Sequence, residues 1–169
     1  MDRELFAGLS DATRLWVTVL ERPMAESHCP DFEVSLREML EAWRHKGQAY
    51  SADFVFLDRQ ILLIAEPLLA EAPSGCAIDG MLRKLSRILG DAQVRSVCDH
   101  EVVLRIEGRL EVHSRSELLP LFDSHRIGPE TPVIDRSLHD LSQLRAGHLE
   151  RPLAHTWIGR KHGLSPFAV

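Results

Sequence analysis

The stretch "YSADFVFLDRQILLIAE", residues 50–66, decides how this chain reads. Two runs rich in Phe, Val, Ile and Leu flank Asp58-Arg59-Gln60. Such side chains suit a pleated, buried surface, and a three-residue link is short enough for a hairpin. Residues 50–58 and 60–66 therefore read as paired antiparallel strands.

Working outward, "CPDFEVSLREMLEAWRHKG" (residues 29–47) places Phe32, Leu36, Met39, Leu40 and Trp43 on one helical stripe. Asp31 suits the cap, Glu33 the first turn, and Lys46 with Gly47 the end. Trp43 and Tyr50, each beside apolar neighbours, read as core rather than as ligand platforms. Before this helix, "RLWVTVLE" (residues 14–21) reads as a strand that Pro23 stops. After the hairpin, a helix runs from near Cys76 or Asp79 to Leu89. Its stripe is Ile78, Met81, Leu82, Leu85, Ile88 and Leu89, and Gly90 is its stop. Strand, helix, strand, strand, helix, with a further strand in "AQVRSVC" (residues 92–98), is the split βαβ order of ferredoxin-like domains. The expected fold is thus α+β, a ferredoxin-like sandwich whose helices cover one face of an antiparallel sheet.

Beyond it, "EVVLRIEG" and "RLEVHS" pair through Glu107-Gly108. "SRSELLPLFDSHRIG" reads as a short helix capped by Ser114 or Ser116, with Pro120 in its first turn or at a kink. "TPVIDRSL" reads as a short strand. Residues 136–169 form a weakly patterned C-terminal extension, with one helical turn at 140–145 and the rest irregular.

The 169 residues suit a single domain, 1–169, that buries roughly two thirds of its unfolded surface. The net charge is -5 with both signs interspersed, which argues against a nucleic-acid binder. Such a binder would need Arg83, Lys84, Arg87, Arg160 and Lys161 to converge on one face. Three cysteines do not suggest a disulfide framework, and no signal segment or bilayer-length apolar run is visible. A cytoplasmic location without membrane contact is expected.

"EAPSGCAIDG" (residues 71–80) is the chemically suggestive segment. With Ser74 as cap, Cys76 falls in the first helical turn, where free amides favour a thiolate. Gly75 permits a tight turn, and amides near Ile78 could hold an oxyanion. A thiol enzyme also needs a base. His100, His113, His148 and His155 are candidates, with Asp79 to orient one of them or to cap the helix. The competing reading is that Cys76 packs as a small hydrophobe. "HCPD" (residues 28–31) and "CDH" (residues 98–100) lack the spacing of zinc sites, so no metal is expected. "GRKHG" (residues 159–163) lacks the lysine-hydroxyl pair of a phosphate loop, and no cofactor is expected.

The Ser74-Gly75-Cys76 turn resembles that of glutamine deamidases, which carry a histidine downstream. More broadly, "RLWVTVLERPM", "EAWRHKGQAYSADF", "ILLIAEPLLAEAPSGCAIDG" and "LRAGHLERPLAHTWIGR", in that order, resemble a family of small uncharacterised bacterial proteins. Some of these carry the label transporter ATPase. The most specific piece is Ser74-Gly75-Cys76-Ala77-Ile78-Asp79, where the family typically has serine at the Ala77 position. Pro152, His155 and Trp157 occupy the region of the family's C-terminal tryptophan and histidine, in a different local order. The resemblance brings no activity with it. It implies only that the Cys76 turn and the His155–Trp157 segment merit equal weight; the geometry expected here is one site formed by both, thiol at the helix start with imidazole and indole folded over it.

The expected function is a small binding or accessory protein with a small-molecule or protein partner, and a homodimer joined through sheet edges. The alternative is a deamidase-like thiol hydrolase or amidase. It would use Cys76 as nucleophile, His155 as base and Asp79 as orienting group, with Ser74, Gly75, Ile78 and Trp157 shaping the binding site.

Overall fold

The computed structural model describes residues 5–45, 47–49, 51–66 and 74–161. Lys46 and Tyr50 lie outside the described residues. In chain order the elements are β1 (Arg14–Val19), α1 (Cys29–Glu41), β2 (Arg44–His45), β3 (Gln48–Ala49), β4 (Asp53–Leu57) and β5 (Ile61–Glu66). There follow α2 (Gly75–Asp91), β6 (Glu101–Ile106), β7 (Arg109–Ser114), α3 (Leu118–Asp123), β8 (Pro132–Ile134), α4 (Leu141–Arg145), β9 (Glu150–Pro152) and α5 (Trp157–Lys161). The architecture is α+β, with antiparallel sheets ordered β1-β5-β4 and β7-β6-β8-β9 and a small β2-β3 ladder.

The hairpin forms as the sequence predicts, with Leu57 opposite Ile61. Its link turns through left-handed backbone at Asp58 and Arg59 (φ 52° and 55°), and the Gln60 N–H donates to the Leu57 carbonyl at 2.9 Å. Buried Gln60 is itself satisfied, because its side-chain amide donates to the Leu20 carbonyl at 3.1 Å.

All six residues of β5 are buried. Leu62 and Ile64 face α1 and α2, packing with Phe32, Leu36, Met81, Leu85 and Leu89. Ile61, Leu63 and Ala65 face the other way, against Val103 and Ile134 of the second sheet and Leu141 and Leu144 of α4. A strand buried on both faces has no reason to alternate polar and apolar residues, which is why "ILLIAE" is continuous. The second sheet presents its far face, through Val102, Leu104 and Val133, to Leu118, Leu153 and Ile158. The molecule is therefore layered helix, sheet, sheet, helix, and both faces of the first sheet are covered.

Three expectations are corrected. The first helix ends at Glu41, not Gly47, because the chain reverses into β2 and β3 around Gly47 (φ 80°). Residues 92–98 do not form a strand: they touch the free edge of β1 through one bridge, Leu20 to Ser96. Arg136 explains why that segment holds its place regardless, since its guanidinium donates to the carbonyls of Val97, Cys98 and Glu101 at 2.9, 3.0 and 3.1 Å. Residues 146–161 of the C-terminal extension are not irregular as expected. Residues 150–152 pair with β8, and Leu153, Ala154 and Ile158 are buried.

Other details agree or differ locally. Trp43 is core. Pro120 lies in the first turn of α3, where its missing N–H costs nothing. Neither Ser114 nor Ser116 caps that helix; instead the Glu117 carboxylate accepts from the Ser114 N–H and hydroxyl at 2.6 and 2.7 Å. Among the described residues, no helix is long and apolar enough to cross a membrane.

Candidate ligand cleft

Ser74 caps α2 as the sequence predicts, its hydroxyl accepting from the Ala77 N–H at 3.3 Å. Cys76 follows in the first turn and is exposed, as are Ser74, Gly75 and Asp79; Ile78 is half-buried. No hydrogen bond or ion pair among the described residues ties Cys76 to a histidine. The helix carrying Cys76 packs through Met81, Leu85 and Leu89 on the outer side of the first sheet. Leu153 and Ile158, which bracket His155 and Trp157, pack on the outer side of the second sheet. Among the described residues no hydrogen bond or ion pair joins the two segments, and residues 74–79 do not line the cavity that His155 and Trp157 share. Of the other histidines, His113 sits on β7, 3.0 Å from the Glu111 carboxylate, while His100 and His148 are exposed.

His155 and Trp157 instead line a cavity of about 620 Å³. Val102, Val133 and Ile134 contribute apolar atoms to its lining, and Arg115, Arg151 and Arg160 contribute guanidinium groups. That volume suits a drug-sized organic molecule. Trp157 is 46% exposed, unusual for so large an apolar ring, and the Arg115 guanidinium lies 4.7 Å from its centroid. Arg115 is steadied by donating to the Asp99 carbonyl at 2.9 Å.

Two local devices position this lining. The first is Gly159, on the buried side of α5. A Cβ there would lie 2.2 Å from the Leu153 carbonyl oxygen, so the helix can lie against the preceding 3-10 turn (Leu153–His155) only because that position is glycine. The second is Glu101. It grips Arg95 with both oxygens (2.9 and 2.8 Å) and accepts from the Cys98 N–H at 2.7 Å, fixing the turn that carries Asp99. These bonds, led by that from Arg95, hold the Glu101 carboxyl down to about 2. A carboxyl lowered on folding contributes stability above its unfolded pKa of 4.5 and loses it as pH falls toward 2. Glu101→Gln is therefore expected to be less stable than the parent at pH 7, with the gap closing between pH 4.5 and 2. Urea unfolding at a series of pH values reads this directly, and a pH-independent gap would contradict it.

Among the described residues no group of three or more His, Cys, Asp or Glu side chains is placed to hold a metal ion. The basic residues of α2, Arg83, Lys84 and Arg87, belong to one outer layer, and Arg160 and Lys161 of α5 to the other. Sequence reasoning flagged His155 and Trp157 but missed Arg115 and Arg151, which sit singly in polar segments and carry no local signal. Comparison of the chain with protein-family models, with curated proteins and with solved structures found no match.

Proposed function

We propose that this is a small binding protein whose ligand occupies the cleft under the C-terminal segment. One observation carries the reading: a half-exposed indole, Trp157, lines a cavity of organic-ligand size together with Val102, Val133 and Ile134. Exposed aromatic surface in a cleft is costly to leave in water, and a flat ligand ring removes that cost. The thiol-hydrolase alternative has less support, because Cys76 is without a basic partner among the described residues.

The reading extends to the frame. The order β1-β5-β4, with α1 and α2 on one side and residues 95–97 along the β1 edge, suits a reduced split βαβ unit of ferredoxin-like type. In this view the second sheet adds the cleft to that unit. Free thiols at Cys29, Cys76 and Cys98 suit a reducing cytoplasm. The resembled bacterial family would then share the C-terminal aromatic segment as its binding element.

Uncharged indole is the simplest probe. At millimolar concentration it is expected to shift the backbone amide resonances of residues 155–160 and 133–136, and not those of residues 75–79. Trp157→Ala should abolish the shifts while leaving the remaining spectrum in place. Shifts confined to the α2 start, or none at all, would overturn the proposal.

A further inference from the structure

We infer that the cleft selects a flat-ringed organic anion, its carboxylate or phosphate held between Arg160 and Arg115 with the ring on Trp157. This rests on the cleft reading above and adds the ligand's charge and the residues that read it.

The charge balance of the lining carries the inference. The chain as a whole is acidic, with net charge -5, yet four arginines line this one cavity: Arg115, Arg136, Arg151 and Arg160. Three carboxylates share the lining, and two of them are engaged. Glu101 is held in a two-oxygen grip by Arg95, which is not itself part of the lining. Asp135 accepts from the Ser137 N–H and hydroxyl at 2.9 and 2.5 Å and lies 3.3 Å from Arg151 Nε. Only Asp99 makes no side-chain bond among the described residues. Arg136 spends its donors on three backbone carbonyls, but carbonyls leave its positive charge uncancelled. Arg115 gives one donor to the Asp99 carbonyl and otherwise lies over Trp157. The Arg160 guanidinium pairs with no carboxylate among the described residues. The cleft is therefore positive on an otherwise negative molecule, and two guanidinium groups keep free donors.

Guanidinium forks match the planar geometry of a carboxylate and the oxygens of a phosphate, and charge-assisted bonds of this kind are stronger than neutral ones. With Arg115 lying over the indole, a ring set on the remaining Trp157 surface carries its anionic substituent toward the same guanidinium.

The test compares isosteres. Indole-3-carboxylate and the uncharged indole-3-carboxamide fill the same space and differ in one charge; phenyl phosphate tests the other anion class. Titration calorimetry and amide shifts at low salt are expected to show the carboxylate binding about tenfold or more tightly than the carboxamide. Arg160→Gln should collapse that preference, and rising salt should erode it. Arg115→Gln checks the second fork should Arg160 alone prove insufficient. If phenyl phosphate exceeds the carboxylate, the anion is a phosphate; the reverse order makes it a carboxylate. Indole shifts with no gain for either anion, or a preference that survives both arginine substitutions, would overturn the inference and leave the cleft reading standing. No shift from any probe would overturn both.

Discussion

Leu63→Ala should lower the unfolding free energy by about 2–5 kcal/mol, the range for deleting a buried leucine from a core that only partly collapses. Leu63 is fully buried in the middle of β5, opposite Val17 on one neighbour and Val55 on the other. Its side chain leaves the first sheet on the face away from the helices and enters the layer shared with the second sheet. For a chain of this length the lower half of that range already amounts to a fall in melting temperature of roughly 5–10 °C. Chemical unfolding of the variant beside Val34→Ala makes the comparison, because Val34 is 58% exposed on α1 and its truncation should cost under about 0.5 kcal/mol. A Leu63→Ala loss below about 1 kcal/mol would mean that the two sheets do not pack face to face.

That prediction also marks where the sequence stops being informative. The hairpin, β1 and both long helices are legible because their signals are local: continuous apolar runs, stripes of period 3.6, a serine cap and a three-residue turn. The second sheet is legible only in part: its β6–β7 hairpin and a short strand at β8 are read from the sequence, but β9 and the joining of these strands into one sheet are not. Its strands β8 and β9 have three residues each, too few to show a period, and Pro132 stands opposite Pro152 where a strand is least expected. They are strands because Val133 and Ile134 each find a buried face, a fact that depends on residues far away in the chain. The failure at residues 92–98 has the same origin in reverse. Val94 and Val97 look strand-like and are buried, but Val94 packs in the helix layer and Val97 in the layer between the sheets. The segment follows the edge of β1 only at residues 95–97, through a single bridge, too short a pairing to make a strand.

The site divides in the same way. The cap at Ser74 is encoded within four residues and could be read. The lining arginines are spread from Arg115 to Arg160, each looking like an ordinary solvated charge until the fold collects them. Trp157 is suggested by its neighbours in the chain, but Cys76 is not among the residues that line its cavity.

Gly159→Ala should detach the C-terminal helix from the cleft and abolish ligand binding there. The physical reason is steric and specific. The added Cβ would sit 2.2 Å from the Leu153 oxygen and 2.8 Å from Ala154 Cα, both backbone atoms that cannot swing aside as a side chain could. Overpacking of this kind costs about 1–3 kcal/mol when neighbours shift. Here a cheaper response exists. A helix of five residues has little stability of its own and depends on the burial of Ile158 against the second sheet. Letting α5 swing away relieves the clash at the cost of that contact, and it carries Trp157 and Arg160 with it. The expected signature is therefore local. Amide exchange speeds up across residues 156–161 and indole binding is lost, while β5 and β6 keep their protection and the melting temperature falls less than in Leu63→Ala. Gly90→Ala is the matching control. Nothing lies within 4 Å of a Cβ built there, and alanine in a helix is favoured over glycine by about 0.5–1 kcal/mol, so that variant should be unchanged or more stable. Normal exchange protection and normal binding in Gly159→Ala would show that α5 does not lie against the Leu153–His155 turn, and the cleft would then lose the wall that holds its indole.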